Sequence, residues 1–316
     1  MLLKVPFRKP FFMKMWNIHP KTWKLLIDMG ILLKYKTLNL TKIPNKIVLP
    51  SSNILYVNPD ENRGRALLIS NGITQKRLTH FWQNAVELYN PDLIIDVGVN
   101  YGECIFSATY SPHAKLYGIE ANRHLLKYIK QSRDVHPNRS QIKIINAFAS
   151  DKDDEQTPFF IDKHWSGTSS ASYIPSHNMI EKAEVKSLTI DSLLKEKQTA
   201  DSILFKIDVE GHEAFVLNGM TDLFENSASA LGLIEFNSEY IEKSGMQIDE
   251  FWAFLKTYFF VYVYKENNTV IKIDNLNHDN LQNIFGSAYI HTDLILVTDE
   301  KIMDLLDFTI EKAPVR

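Results

Sequence analysis

The alternation that begins at Asp92 constrains this chain most. Short apolar runs recur along it, and stretches of helical spacing lie between them. That rhythm builds a mostly parallel sheet covered by helices on both faces, an α/β architecture. The first strand is LIIDV, with a helix predicted over residues 103–110, and the second is KLYGIE, followed by a helix over 123–131. IKIINAF is the third strand, and an irregular region then runs to about residue 182. VKSLTI, a short helix near Ser192, ILFKIDV, a helix over 212–217, LGLIEF and a helix over 250–256 come next. FFVYVYK and TDLILVT close the pattern with no helix predicted between them, so a C-terminal antiparallel hairpin is expected to end the sheet. Upstream, IVLP, ILYV and ALLI alternate with the turn-prone Ser51-Ser52-Asn53 and Asn58-Pro59-Asp60, which predicts a small β-hairpin module. A helix over 79–89 then stops at Asn90-Pro91. The expected organisation is an extension over 1–45 and one domain over 46–316, with 46–90 leading into the core at 91–316.

Composition excludes several classes. A formal net charge of -3 argues against a protein built around a nucleic-acid backbone. The single cysteine, Cys104, rules out an intramolecular disulfide and reads as a packing residue. No apolar run is long enough to span a bilayer, and a cytoplasmic protein is expected. Residues 1–36 are distinctive: Lys4, Arg8, Lys9, Lys14, Lys21, Lys24, Lys34 and Lys36 stand against one acid, Asp28, among Phe7, Phe11, Phe12, Trp16 and Trp23. Charges and prolines interrupt every candidate signal-peptide core. A helical cap packed on the main domain is the favoured reading; contact with an anionic membrane surface or a partner is the other.

Three motifs carry chemistry. Asp96-Val97-Gly98-Val99-Asn100-Tyr101-Gly102 lies at the end of a strand, where doubly wound sheets bind ligands. Gly98 and Gly102 allow tight turning and close approach, but the third glycine of a dinucleotide cradle is missing. Glu120 ends the next strand, roughly 20 residues on, where a carboxylate accepts hydrogen bonds from both ribose hydroxyls of a nucleoside. Third is Lys206-Ile207-Asp208-Val209-Glu210-Gly211-His212-Glu213, in which ionisable groups crowd the end of a central strand. So many there point to a reaction site, with an internal ion-pair network as the competing reading. The loop His164-Trp165-Ser166-Gly167-Thr168-Ser169-Ser170 is expected to face substrate. His177, His278 and His291 stand isolated and read as structural or solvated.

In the order IDVGVNYG, IEAN, NAFASDK, VKSLTIDSLL, FKIDVEGHE and LIEFN, the chain resembles the FkbM family of S-adenosylmethionine (SAM)-dependent methyltransferases. The likeness runs from Ile54 to Phe236, more loosely to the end, and not into the first 46 residues. It implies a class I, Rossmann-like methyltransferase fold, with a mostly parallel sheet of seven strands that ends in an antiparallel hairpin. It also implies that Asp96, Gly98, Asn100 and Gly102, with Tyr101 in the same turn, surround the methionine part of SAM. Glu120 would hold the ribose, and Asn122 with Ala147 to Asp151 would lie near the adenosine. Val99 departs from the alanine usual in the family.

The implied reaction is O-methylation of a sugar, glycan or other secondary metabolite by in-line displacement. A neutral hydroxyl is a weak nucleophile and needs a base. His212 is the first choice because imidazole titrates near neutrality, with Glu210 and Asp208 as alternatives and Glu213 or Glu235 to orient the ring. No metal is expected, since Asp208, Glu210 and His212 have a simpler use in proton transfer. The rivals are a nicotinamide-dependent oxidoreductase, which should carry the third glycine, and a silent nucleoside-binding module, which should lose the charged KIDVEGHE edge.

Overall fold

A computed structural model describes residues 20–174, 179–194, 200–265 and 268–313. Fourteen strands appear among them in chain order. β1 (Lys46–Val48) and β2 (Ile54–Tyr56) form an antiparallel hairpin. β3 (Leu93–Val97), β4 (Lys115–Ile119) and β5 (Ile142–Ile145) are the parallel strands predicted. β6 (Phe148–Ala149), β7 (Gln156–Asp162) and β8 (Ile180–Leu188) make a separate three-stranded sheet in the order β6-β8-β7. β9 (Ser202–Ile207), β10 (Ser229–Asn237), β11 (Phe260–Tyr264), β12 (Thr269–Lys272), β13 (His291–Val297) and β14 (Thr309–Lys312) complete the set.

The main sheet has nine strands in the order β14-β12-β11-β13-β10-β9-β3-β4-β5. Five neighbours from β5 to β10 run parallel, and β13 enters antiparallel between β10 and β11. The α/β class and the reversed C-terminal strand are as predicted. The count is not, because β12 and β14 extend the edge beyond seven. The last two predicted strands are also not a simple hairpin. Between them lie β12 and a helix, His278–Phe285, capped by Asn277, whose side chain accepts from the Asn280 amide, and stopped by Gly286 at φ 66°. Alternate side chains of β3 pack on opposite faces of the sheet: Leu93, Ile95 and Val97 join one apolar cluster and Ile94 the other. A strand buried on both faces needs this continuous apolar run.

Two local predictions fail for reasons outside their own sequence. ALLI is not a strand but the end of helix α2 (Asn62–Ile69; α1 is Pro20–Tyr35), because Glu61 caps α2 by accepting from the Arg63 and Gly64 amides. Residues 103–108 turn rather than form a helix. There the Glu103 carboxylate accepts from the Thr74 and Gln75 amides at 2.5 and 2.8 Å, at the start of α3 (Lys76–Asn84), and pairs with Arg63 at 2.8 Å. The irregular region before residue 182 contains β7, paired in register with β8.

The N-terminal extension enters the described structure as α1. Its inward side buries Ile27 and Ile31 against α2 and sets Gly30 against Ile69. Lys34 Nζ donates to the Leu68 carbonyl at 2.6 Å, and Asp28 pairs with Arg65. The basic aromatic residues before Pro20, including Trp16, lie outside the described residues.

Candidate active site

The carboxyl ends of β3, β4, β9 and β10 open onto one cleft of about 480 Å³, a size suited to a small-molecule or cofactor site. Gly98 and Asn100 line it after β3, Glu120 after β4, Ala147 and Phe148 around the start of β6, and Asp208 and Glu210 after β9.

The turn after β3 is shaped by its neighbours. Gly98 has φ 75°, and a Cβ there would lie 2.0 Å from the Asp208 carbonyl oxygen, so only glycine lets the two turns meet. Asn100 is left-handed at φ 52°. Its amide donates to Glu120 Oε2 at 2.7 Å, and the Asn122 amide donates to Glu120 Oε1 at 2.7 Å. Burial pushes the Glu120 carboxyl above its ordinary range, and the two amides oppose that. A carboxylate has about four acceptor sites, so each oxygen retains capacity toward the cleft. A vicinal diol fits that donor set, and the apolar wall of Ala147, Phe148 and Phe159 fits a flat base. The nucleoside half of SAM therefore suits the residues present.

Other residues of the predicted cofactor set stand behind the cleft. Asp96 is buried beside Lys206, its register neighbour on β9, with Nζ at 3.4 Å from Oδ1. Lys206 also donates to the Gly98 carbonyl at 2.7 Å and lies 3.7 Å from Asp208. Burial would lower the proton affinity of this lysine, but Asp96 and Asp208 outweigh it and raise it. Lys206 thus ties the glycine turn to β9, and the competing ion-pair reading describes this part of the motif. Gly102, at φ 89°, leaves no room for a Cβ against the Phe106 ring. The Tyr101 hydroxyl donates to Glu61 at 3.0 Å. Asn122 serves through its amide, and Asp151 accepts from the Ser150 hydroxyl at 3.1 Å; neither lines the cleft.

His212, the first choice of base, is not among the cleft-lining residues. Its ring stacks on Phe215 at 4.4 Å, tilts against Phe148 at 4.6 Å, and approaches the Ser150 hydroxyl at 3.0 Å through Nε2. Burial pushes its imidazolium down to about 4, against the opposing pull of Asp151. Glu213 does not orient that ring. It accepts from the Val209 and Gly211 amides at 3.0 Å, and burial, helped by Glu235, pushes it up to about 8.

What faces the cleft is a set of carboxylates. Asp208, Glu210 and Glu235 present oxygens within 4.8 Å of one another. Such charges repel unless a proton, a cation or a polarised hydroxyl lies among them, so this trio could serve as base or hold a divalent cation. Glu235 is paired with buried His291 at 2.8 Å, so that histidine is structural. His278 contacts Gln282 at 2.9 Å, and His177 lies outside the described residues. Glu210 holds a left-handed backbone at φ 55°, uncommon for a side chain with a Cβ. Its carbonyl accepts from Ser170 at 2.9 Å, and its Oε2 from the Tyr173 hydroxyl at 3.5 Å.

The predicted loop also lines the cleft, through Trp165 to Ser169. Glu61 fixes this loop by accepting from the Ser166 amide at 3.0 Å. Sequence reasoning missed further lining residues, among them Trp23 from α1 and Arg63 and Ala66 from α2. The Arg63 guanidinium lies 5.6 Å from the Trp165 ring centre. No short-range pattern marks them, since they reach the cleft only through the packing of α1 and α2 on the core.

Comparison with known proteins adds the following. The family model described as the methyltransferase FkbM domain matches residues 96–264. No curated protein matches the sequence. Among solved structures, an O-methyltransferase of tomaymycin synthesis from Streptomyces achromogenes, in complex with SAM, is 10% identical over 75% of this chain and 86% of its own, with a TM-score of 0.40. A methyltransferase FkbM from Methylobacillus flagellatus is 10% identical over 74% of this chain and 54% of its own, with a TM-score of 0.36. A Bacillus cereus O-methyltransferase in complex with SAH is 8% identical over 71% of this chain and 81% of its own, with a TM-score of 0.39.

Proposed function

Because this chain belongs to the FkbM methyltransferase family, we propose that it is a SAM-dependent O-methyltransferase acting on a hydroxyl of a sugar, glycan or related secondary metabolite. The observation that carries the reading is the Glu120 carboxylate, gripped by one amide on each oxygen and facing a cleft that also contains a carboxylate trio. When bound, SAM supplies an electrophilic methyl group on a sulfonium. This chain's residues do the rest. Glu120 holds the ribose, Gly98 and Asn100 shape the floor, and the wall from Trp165 to Ser169 shields the acceptor from water.

The proton of the acceptor hydroxyl goes to Glu210. Asp208 sits beside the Lys206 ammonium, which favours its charged form, and Glu235 is engaged by His291. The Lys206 ammonium also offsets part of the trio's charge, which supports proton transfer without a metal. Much of the acceleration comes from alignment, worth up to about 7 to 11 kcal/mol in ideal systems. Trp165, Trp23 and Arg63 suit a hydroxylated ring, through stacking and hydrogen bonding respectively. The test is incubation with methyl-labelled SAM and a panel of sugars, nucleotide sugars and glycans. The reading expects an ether-linked methyl group on one of them and loss of transfer in Glu210→Gln. Label on nitrogen or carbon alone would refute it.

A further inference from the structure

Helix α1 is apolar on two sides. Its inward face carries Trp23, Ile27 and Ile31 toward the domain, with the two isoleucines buried and Trp23 lining the cleft. Its outward face carries Leu25, Leu26, Met29, Leu32 and Leu33, between 45% and 69% exposed. At 3.6 residues per turn those five fall within one stripe. Of the fifteen large hydrophobic side chains exposed among the described residues, eight lie between positions 25 and 48. Scattered exposed leucines are normal, but a contiguous patch marks a binding surface.

Charge identifies the partner. The first 50 residues hold ten Lys and Arg against one acid, whereas the remaining 266 hold 25 against 37. The only strongly basic stretch thus coincides with the exposed apolar stripe. A stripe of Leu and Met flanked in sequence by Lys21 and Lys36, with Lys34 turned inward to the Leu68 carbonyl, suits the boundary between anionic headgroups and acyl chains. No helix among the described residues is long and apolar enough to cross a membrane, so this contact lies in the plane of the surface.

We infer that the outward face of α1 docks the protein on an anionic phospholipid bilayer. Trp23 on the same helix then brings the cleft close to the lipid surface. This does not depend on the methyl acceptor, and its test needs no turnover.

The experiment is co-sedimentation of the full chain with vesicles of phosphatidylcholine, with or without phosphatidylglycerol. The chain should pellet only with the anionic vesicles, and less as salt screens the lysines. Met29→Glu with Leu33→Glu should reduce partitioning at least about tenfold, because each buried side chain of this size is worth about that much. Both positions are exposed, so the melting temperature should stay unchanged, and Leu25→Glu provides a second variant. Failure to pellet with anionic vesicles would overturn the inference. So would partitioning that ignores the substitutions, or a dimer in solution that they dissociate, which would assign the face to a second copy.

Discussion

Replacing Glu120 should separate its backbone bonds from the ribose contacts proposed for it. Each oxygen takes a backbone amide at 2.7 Å, from Asn100 and Asn122, and the side chain is buried. Glu120→Ala leaves both donors without a partner, and an unsatisfied buried donor costs about 1 to 3 kcal/mol. That variant should therefore lose roughly 2 to 6 kcal/mol of folding stability, and its weak ligand binding would be uninformative alone. Glu120→Gln keeps the shape and one strong acceptor. It loses the charge, and with it hydrogen bonds to ribose worth about 1.5 to 3 kcal/mol each. One such bond corresponds to a drop in affinity of about 10- to 150-fold. Calorimetric titration with S-adenosylhomocysteine, alongside denaturant unfolding, reads both quantities. Wild-type affinity in a folded Glu120→Gln protein would refute the ribose assignment.

Three further outcomes follow from the same geometry. The unfolded chain protonates His212 near 6.5 and the folded chain only near 4, so stability present above pH 6.5 is lost as pH falls toward 4, by up to about 3 kcal/mol. Stability curves of wild type and His212→Gln should converge across that window, and parallel curves would contradict the burial argument. Transfer should survive EDTA; abolition by chelation with recovery on adding Mg²⁺ or Mn²⁺ would reassign Asp208, Glu210 and Glu235 to a cation. Ile31→Ala, at a fully buried position of α1, should cost about 2 to 5 kcal/mol in chemical denaturation, and an unchanged midpoint would mean that α1 does not pack as described.

The parts legible in the sequence are those governed by local pattern. Apolar runs fixed the parallel strands, Gly98 marked a turn that only glycine can make, and Glu120 announced itself by its distance from that turn. The loop at Trp165 was readable from its length and composition. The helix over 278–285 was also readable, from Asn277 and Gly286 as its start and stop, and was missed because the surrounding pieces resemble weak strands. What could not be read depends on distant partners. Glu103 begins turns rather than a helix because Arg63, Thr74 and Gln75 bind its carboxylate. His212 packs between the Phe215 ring nearby and Phe148, far away in the chain, and only the second contact is beyond local pattern. The motif KIDVEGHE held both a structural ion pair and the cleft carboxylates, and alternation along a strand alone could not divide Lys206 from Glu210.

The most direct test of the central claim is a crystal structure of the protein with S-adenosylhomocysteine. The account predicts the nucleoside in the cleft at the strand ends, both ribose hydroxyls on Glu120, the adenine against the Ala147 to Ala149 wall, and the thioether sulfur facing the side of the cleft that holds Glu210. A nucleoside bound elsewhere, or one in this cleft whose ribose avoids Glu120, would contradict it.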